Sequence, residues 1–90
     1  MTACRRNVRI ANQRGLHARA SAKFVGMASQ LAATIEVEKD GHRVCGTSIM
    51  GLMMLGAAMG DQITIHVEGE GAEAALEQLA ELVESRFGED

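Results

Sequence analysis

The chain has no proline, tryptophan or tyrosine, and only two phenylalanines and two cysteines. Each shortage excludes something. Without proline there is no proline-rich linker, and 90 residues then read as one domain, 1–90, with a small core. With aromatics at 2%, that core must be built from Val, Ile, Leu, Ala and Met, for which a hydrophobic content of 47% is ample. Cys4 and Cys45 lack metal-type spacing and read as reduced thiols in a cytosolic chain. No zinc or calcium pattern occurs, and no cofactor is expected. Arg5 and Arg6 are not followed by an apolar run, so no secretory signal is read. The apolar stretch from Ile49 to Met59 is too short to span a bilayer and is broken by Gly51 and Gly56. Gly69-Glu70-Gly71 is too short and poorly placed for a dinucleotide fingerprint. No internal repeat is visible.

Charge of one sign is missing from the first third. Every charged side chain before Glu36 is basic: Arg5, Arg6, Arg9, Arg14, Arg19 and Lys23. After Asp61 the balance reverses, with Arg86 the only basic residue. The net charge of −3 argues against nucleic acid as the main partner. The basic third suits phosphate or an acidic protein, although charge also drifts along sequences without meaning.

The elements come from periodicity. Cys4 to Ile10 reads as a strand, with Val8 and Ile10 alternating against Asn7 and Arg9. From Ala18 to about Leu31 the spacing predicts a helix. Ala20, Phe24, Met27, Ala28 and Leu31 share one face, and Arg19, Lys23, Gly26 and Gln30 the other. Arg19 thus points toward solvent or a ligand, with Lys23 one turn further on. Thr34 to Glu38 is a strand with Ile35 and Val37 inward. Asp40-Gly41 signals a hairpin into a return strand, His42 to Gly46. Ser48 can cap a short helix, Ile49 to about Leu55. Ile49, Leu52 and Met53 can face a core while Met50 and Met54 lie opposite. Such a helix is either buried or a contact surface, and the residues alone favour core filling. Asp61 to Glu68 alternates Ile63, Ile65 and Val67 with Gln62, Thr64 and His66. The last helix runs from about Ala72 to Phe87 through Ala75, Leu76, Leu79, Leu82 and Val83, and stops at Gly88. His42 and His66 read as surface residues. The sum is an α+β, βαββαβα chain: a four-stranded, mostly antiparallel sheet, covered on one face by three helices.

Gly15-Leu16-His17-Ala18-Arg19 is where chemistry concentrates. A helix start leaves backbone N–H groups without partners and is partially positive, so phosphate sits well there. A capping His17 points a ring nitrogen into that space, and neutral imidazole is a competent nucleophile. The fork of Arg19 can pair with phosphate oxygens, the N–H at Ala18 adds a donor, and Gly15 permits the sharp turn into the cap. Short His-x-Arg strings before helices also arise by chance, and a histidine can serve only as a cap.

With these residues in place, the chain resembles the histidine phosphocarrier (HPr) family of the bacterial phosphotransferase system. Gly15 to Arg19 matches that family's active-site motif. Thr47-Ser48-Ile49-Met50-Gly51-Leu52-Met53-Met54-Leu55-Gly56 matches its second signature, and element order and length agree over essentially the whole chain. The resemblance implies an open-faced β-sandwich and a cytoplasmic, monomeric carrier that is not an independent enzyme and does not insert into membranes. His17 would take a phosphoenolpyruvate-derived phosphoryl group from phosphorylated enzyme I, on Nδ1, as pros-phosphohistidine. It would pass the group to a histidine on a downstream component. Arg19 would stabilise the transferring group. Ser48 would be the target of HPr kinase/phosphorylase. Ile49, Met50 and Met53 would form the partner-docking surface, which replaces the core-filling reading. Two residues depart from the family: Ala20 stands where proline is usual, and Thr47 where lysine often precedes the serine. Both variations resemble the branch that regulates nitrogen or carbon metabolism without transporting sugar.

Two rivals remain at this level. A regulatory binding module would act through the Ser48 helix surface with His17 idle. A small enzyme would use His17 as a general base, but no carboxylate in the sequence is evidently placed to orient it.

Overall fold

The computed structural model describes residues 2–89. Four strands form, β1 (Ala3–Arg9), β2 (Thr34–Lys39), β3 (His42–Cys45) and β4 (Gln62–Glu68). They pair in the order β1-β4-β2-β3, antiparallel throughout. Period-two alternation explains the two faces. Val8, Ile35, Val37, Ile63, Ile65 and Val67 point inward, each at most 3% exposed. The outer face is polar: Thr64 donates to Asn7, His66 pairs with Glu38, and Arg43 with Glu36. His66 is on the surface face as expected, yet its carboxylate partner at 2.7 Å leaves its side chain only 15% exposed.

The β2–β3 hairpin closes with Lys39 opposite His42. Asp40 and Gly41 between them both have positive φ, 51° and 82°, which a two-residue turn of matching twist requires.

Three helices cover the inner face: α1 (Ala18–Ala28), α2 (Ile49–Met54) and α3 (Ala72–Glu84). Helix α3 lies across β1 and β4, while α2 sits against β3 and α1. Phe24, Leu52, Leu79, Ala80 and Val83 reach zero exposure beneath them. The architecture is the open-faced α+β sandwich expected.

Four details correct the sequence reading. Helix α1 ends at Ala28, not near Leu31, because Gln30 and Leu31 donate to carbonyls three residues back and tighten the chain out of α spacing. In α2 only Leu52 is buried; Ile49 is 42% and Met53 44% exposed, so neither fills the core. Lys23 does not face a ligand, since its ammonium donates to the Phe87 carbonyl at 2.7 Å. Helix α3 stops at Glu84, and a one-turn 3-10 segment, Arg86–Gly88, follows it. Arg86 and Phe87 take left-handed φ of 62° and 55°, a conformation that costs about 1–2 kcal/mol per side-chain-bearing residue. Phe87, 1% exposed, offsets that strain by entering the core from the reversed chain.

Candidate functional site

Asn12 to His17 forms the loop that hands β1 to α1, and its shape is set by hydrogen bonds. Asn12 is fully buried. Its carbonyl accepts from the Gly15 N–H, and its side-chain amide donates to the Gly15 carbonyl at 2.8 Å. Gly15 has φ 64° and packs so closely on the neighbouring loop that a Cβ there would overlap the Ala57 carbonyl oxygen. Glycine is thus required twice, for the turn and for the approach. Leu16 follows, buried, with its N–H donating to Ala57 at 3.0 Å. These ties aim the chain into α1.

His17 is the N-cap of α1, in extended backbone conformation. The Ser21 N–H donates to its carbonyl at 2.9 Å and closes the first helical bond. The N–H groups of Ala18, Arg19 and Ala20 precede that bond and have no intrahelical acceptor. One of them, on Arg19, donates to His17 Nδ1 at 3.3 Å. Nδ1 therefore carries a lone pair and faces the positive helix end, at a spot fit for an anion. Because Nδ1 accepts, Nε2 bears the proton of the neutral ring.

That second nitrogen is held too. Nε2 donates to Glu89 Oε2 at 2.8 Å, and Asn12 Nδ2 donates to Glu89 Oε1 at 3.1 Å. Both carboxylate oxygens and both amide protons of Asn12 are thus engaged. Burial is the largest influence on the Glu89 carboxyl and pushes its pKa up. The hydrogen bonds from Asn12 and His17, with electrostatic attraction to His17 and Lys23, outweigh it, and the net shift is downward.

Neither Asn12 nor Glu89 stands out in the sequence as a site residue, and the fold sets beside His17 a carboxylate that the sequence does not evidently place there. Glu89 lies 72 residues from His17, past the last periodic helix, so no spacing signals it. The only hint is Gly88, whose φ of 74° turns the chain after Phe87.

The remaining expected residues fall in three places. Arg19 is exposed on the first turn, and its guanidinium makes no ion pair with the described residues. Ser48 is the N-cap of α2, its hydroxyl accepting from the Gly51 N–H at 3.0 Å. Ile49, Met50, Met53 and Met54 line an open apolar groove, with Met50 73% and Met54 79% exposed. Because α2 packs on α1, the groove belongs to the helical layer that bears His17. Cys4 and Cys45 are free thiols, as expected. Among the described residues no group of three or more His, Cys, Asp or Glu could hold a metal ion, and no helix is long and apolar enough to cross a membrane.

The chain is thus an open-faced α+β sandwich with a histidine capping its first helix. Residues 4–85 match the family described as the PTS HPr component phosphorylation site. The chain belongs to this HPr family. It is 45% identical over 85 residues to the phosphocarrier protein HPr of Neisseria meningitidis serogroup A, covering 94% of this chain and 96% of that one. It is 39% identical to the phosphocarrier protein NPr of Shewanella violacea, over 99% and 98%. An HPr structure from Thermoanaerobacter tengcongensis superposes with a TM-score of 0.90 at 42% identity, covering 100% of this chain and 99% of that chain.

Proposed function

We propose that this phosphocarrier accepts a phosphoenolpyruvate-derived phosphoryl group on Nδ1 of His17 from phosphorylated enzyme I. It then passes the group to a histidine of a downstream phosphotransferase component. The observation that carries this reading is the position of Nδ1 at the N-terminus of α1, where it accepts from the Arg19 N–H. Phosphoryl transfer asks for in-line placement and charge stabilisation more than for covalent machinery. Ala18 and Arg19 supply backbone donors, and the exposed guanidinium of Arg19 supplies a cation that can swing onto the equatorial oxygens. The incoming protein docks on Ile49, Met50 and Met53, and the two flexible methionines adapt to more than one partner. Ser48 is the regulatory phosphorylation site, acted on by an HPr kinase/phosphorylase. The carrier works in the cytoplasm as a monomer.

The exposed methionines also favour a second reading, a regulatory module that binds through α2 with His17 idle. Intact mass separates the two. After incubation with phosphoenolpyruvate, magnesium and enzyme I at neutral or alkaline pH, the chain gains one acid-labile phosphoryl group. The His17→Ala variant gains none while keeping its fold, because a cap residue outside the hydrophobic core contributes little core packing. No gain with a cognate enzyme I of proven activity rejects the carrier reading in favour of the binding module.

A further inference from the structure

The pair formed by His17 and Glu89 raises a question of charge. When a neutral imidazole attacks phosphorus through Nδ1, the new bond leaves the ring cationic, with Nε2 still protonated. In the reverse step, an unprotonated phospho-ring would have to leave as an imidazolate, a poor leaving group. An N–H kept on Nε2 throughout removes both difficulties.

We propose that Glu89 is the positioning residue that keeps the proton on Nε2 of His17, so that Nδ1 is the nucleophile and the phosphorylated ring is balanced by a carboxylate. This deepens the carrier reading and rests on it. In the accepting step the Nδ1 lone pair forms the N–P bond. The donor's own N–P bond breaks, and its electron pair returns to the donor ring. His17 becomes an N-phosphorylated imidazolium whose Nε2–H points at Glu89 Oε2. In the onward step the N–P bond breaks, the pair returns to Nδ1, and neutral Nε2–H imidazole is restored. No proton moves in either direction.

The surroundings fit the role. The carboxylate is only 16% exposed and the histidine 20%, so the pair is screened less than a surface ion pair. Asn12 fixes the second carboxylate oxygen from a fully buried site. The Lys23 ammonium, bound to the Phe87 carbonyl, is the other cation acting on the carboxylate and favours its ionised form. From the facing loop, Asp61 spends one oxygen on the Ala58 N–H and lies near Lys39. Helix α2, packed on α1, contains no charged residue. Fixing the tautomer of a reactive ring through its second nitrogen is an established way of raising its reactivity.

Two variants divide orientation from charge. Glu89→Gln keeps an acceptor and loses the charge; Glu89→Ala loses both. Nitrogen-15 NMR of the ring nitrogens at alkaline pH reads the tautomer in the unphosphorylated chain, with His66, paired to Glu38, as an internal reference. Wild type and Glu89→Gln are expected to hold His17 as the Nε2–H form, while Glu89→Ala relaxes toward a mixture. Single-turnover transfer from phosphorylated enzyme I is expected to slow about tenfold in Glu89→Gln and further in Glu89→Ala, with His66 signals unmoved. An unchanged tautomer together with wild-type transfer in both variants overturns the role of Glu89 and leaves the carrier reading standing. Absence of transfer in the wild type itself overturns the carrier reading, whatever the tautomer does.

Discussion

Glu89 reaches His17 from the far end of the chain, and Asn12 holds its second carboxylate oxygen. The linkage has a sign that can be measured. The Glu89 carboxyl has a folded pKa below its ordinary value of 4.5, so the native state favours the ionised form. Its contribution to stability is therefore complete above that ordinary value and is lost as pH falls through the lower folded value. Urea midpoints of wild type and Glu89→Ala should differ at pH 6 and converge well below pH 4, on the order of the ordinary carboxylate range. A difference that stays constant through the acid range would show that the carboxylate does not prefer the folded state.

At the scale of elements, α1 and α2 use one device, a side-chain acceptor at a helix start. His17 and Ser48 each cap a helix and each have a backbone N–H aimed at the atom that would receive phosphate. The consequences differ. A phosphate on Nδ1 would meet the exposed guanidinium of Arg19 in the first turn of α1. One on Ser48 would add roughly two negative charges at the edge of the open apolar groove proposed for docking. The same charge favours the helix start of α2 and repels an acidic partner. Ser48→Asp is thus expected to slow transfer from enzyme I severalfold, while thermal melting stays within a few degrees of wild type. Unchanged single-turnover kinetics would remove Ser48 from regulation. The family's usual proline after the arginine is Ala20 here, fully buried. Helix α1 forms without it because alanine is a strong helix former and the Asn12–Gly15 loop already fixes the entry.

Across the whole molecule, the site depends on a tail pinned by one side chain. Phe87 is 1% exposed although its backbone has left the helix, and Lys23 clamps its carbonyl at 2.7 Å. Removing the ring should do two things at once. Phe87→Ala is expected to cost about 3–5 kcal/mol in urea unfolding. It should also release Glu89, giving the tautomer mixture expected of Glu89→Ala. If stability falls but the Nε2–H form persists, Glu89 is held by Asn12 and His17 alone. The outer face of the sheet is polar and self-paired, and the apolar groove proposed as the docking surface lies on the helical side.

The strands, the helices, the hairpin and the capping histidine were legible because each is a local pattern: alternation, 3.6-residue spacing, a turn dipeptide, a residue at a helix start. Those patterns, with two motifs at the family's separation, were sufficient for the fold and for singling out His17 as the residue proposed to carry the phosphoryl group. What they could not contain was any relation between distant, non-periodic residues. Ile49 and Met53 have core-like character, and only the packing of α2 against β3 and α1 left them open while burying Leu52. The reversal at Arg86 and Phe87 has no signature either, since both residues continue the helical stripe in sequence. Only the sandwich, by offering Phe87 a place in its core and Lys23 a carbonyl to hold, decided that the chain turns back and sets a carboxylate against His17.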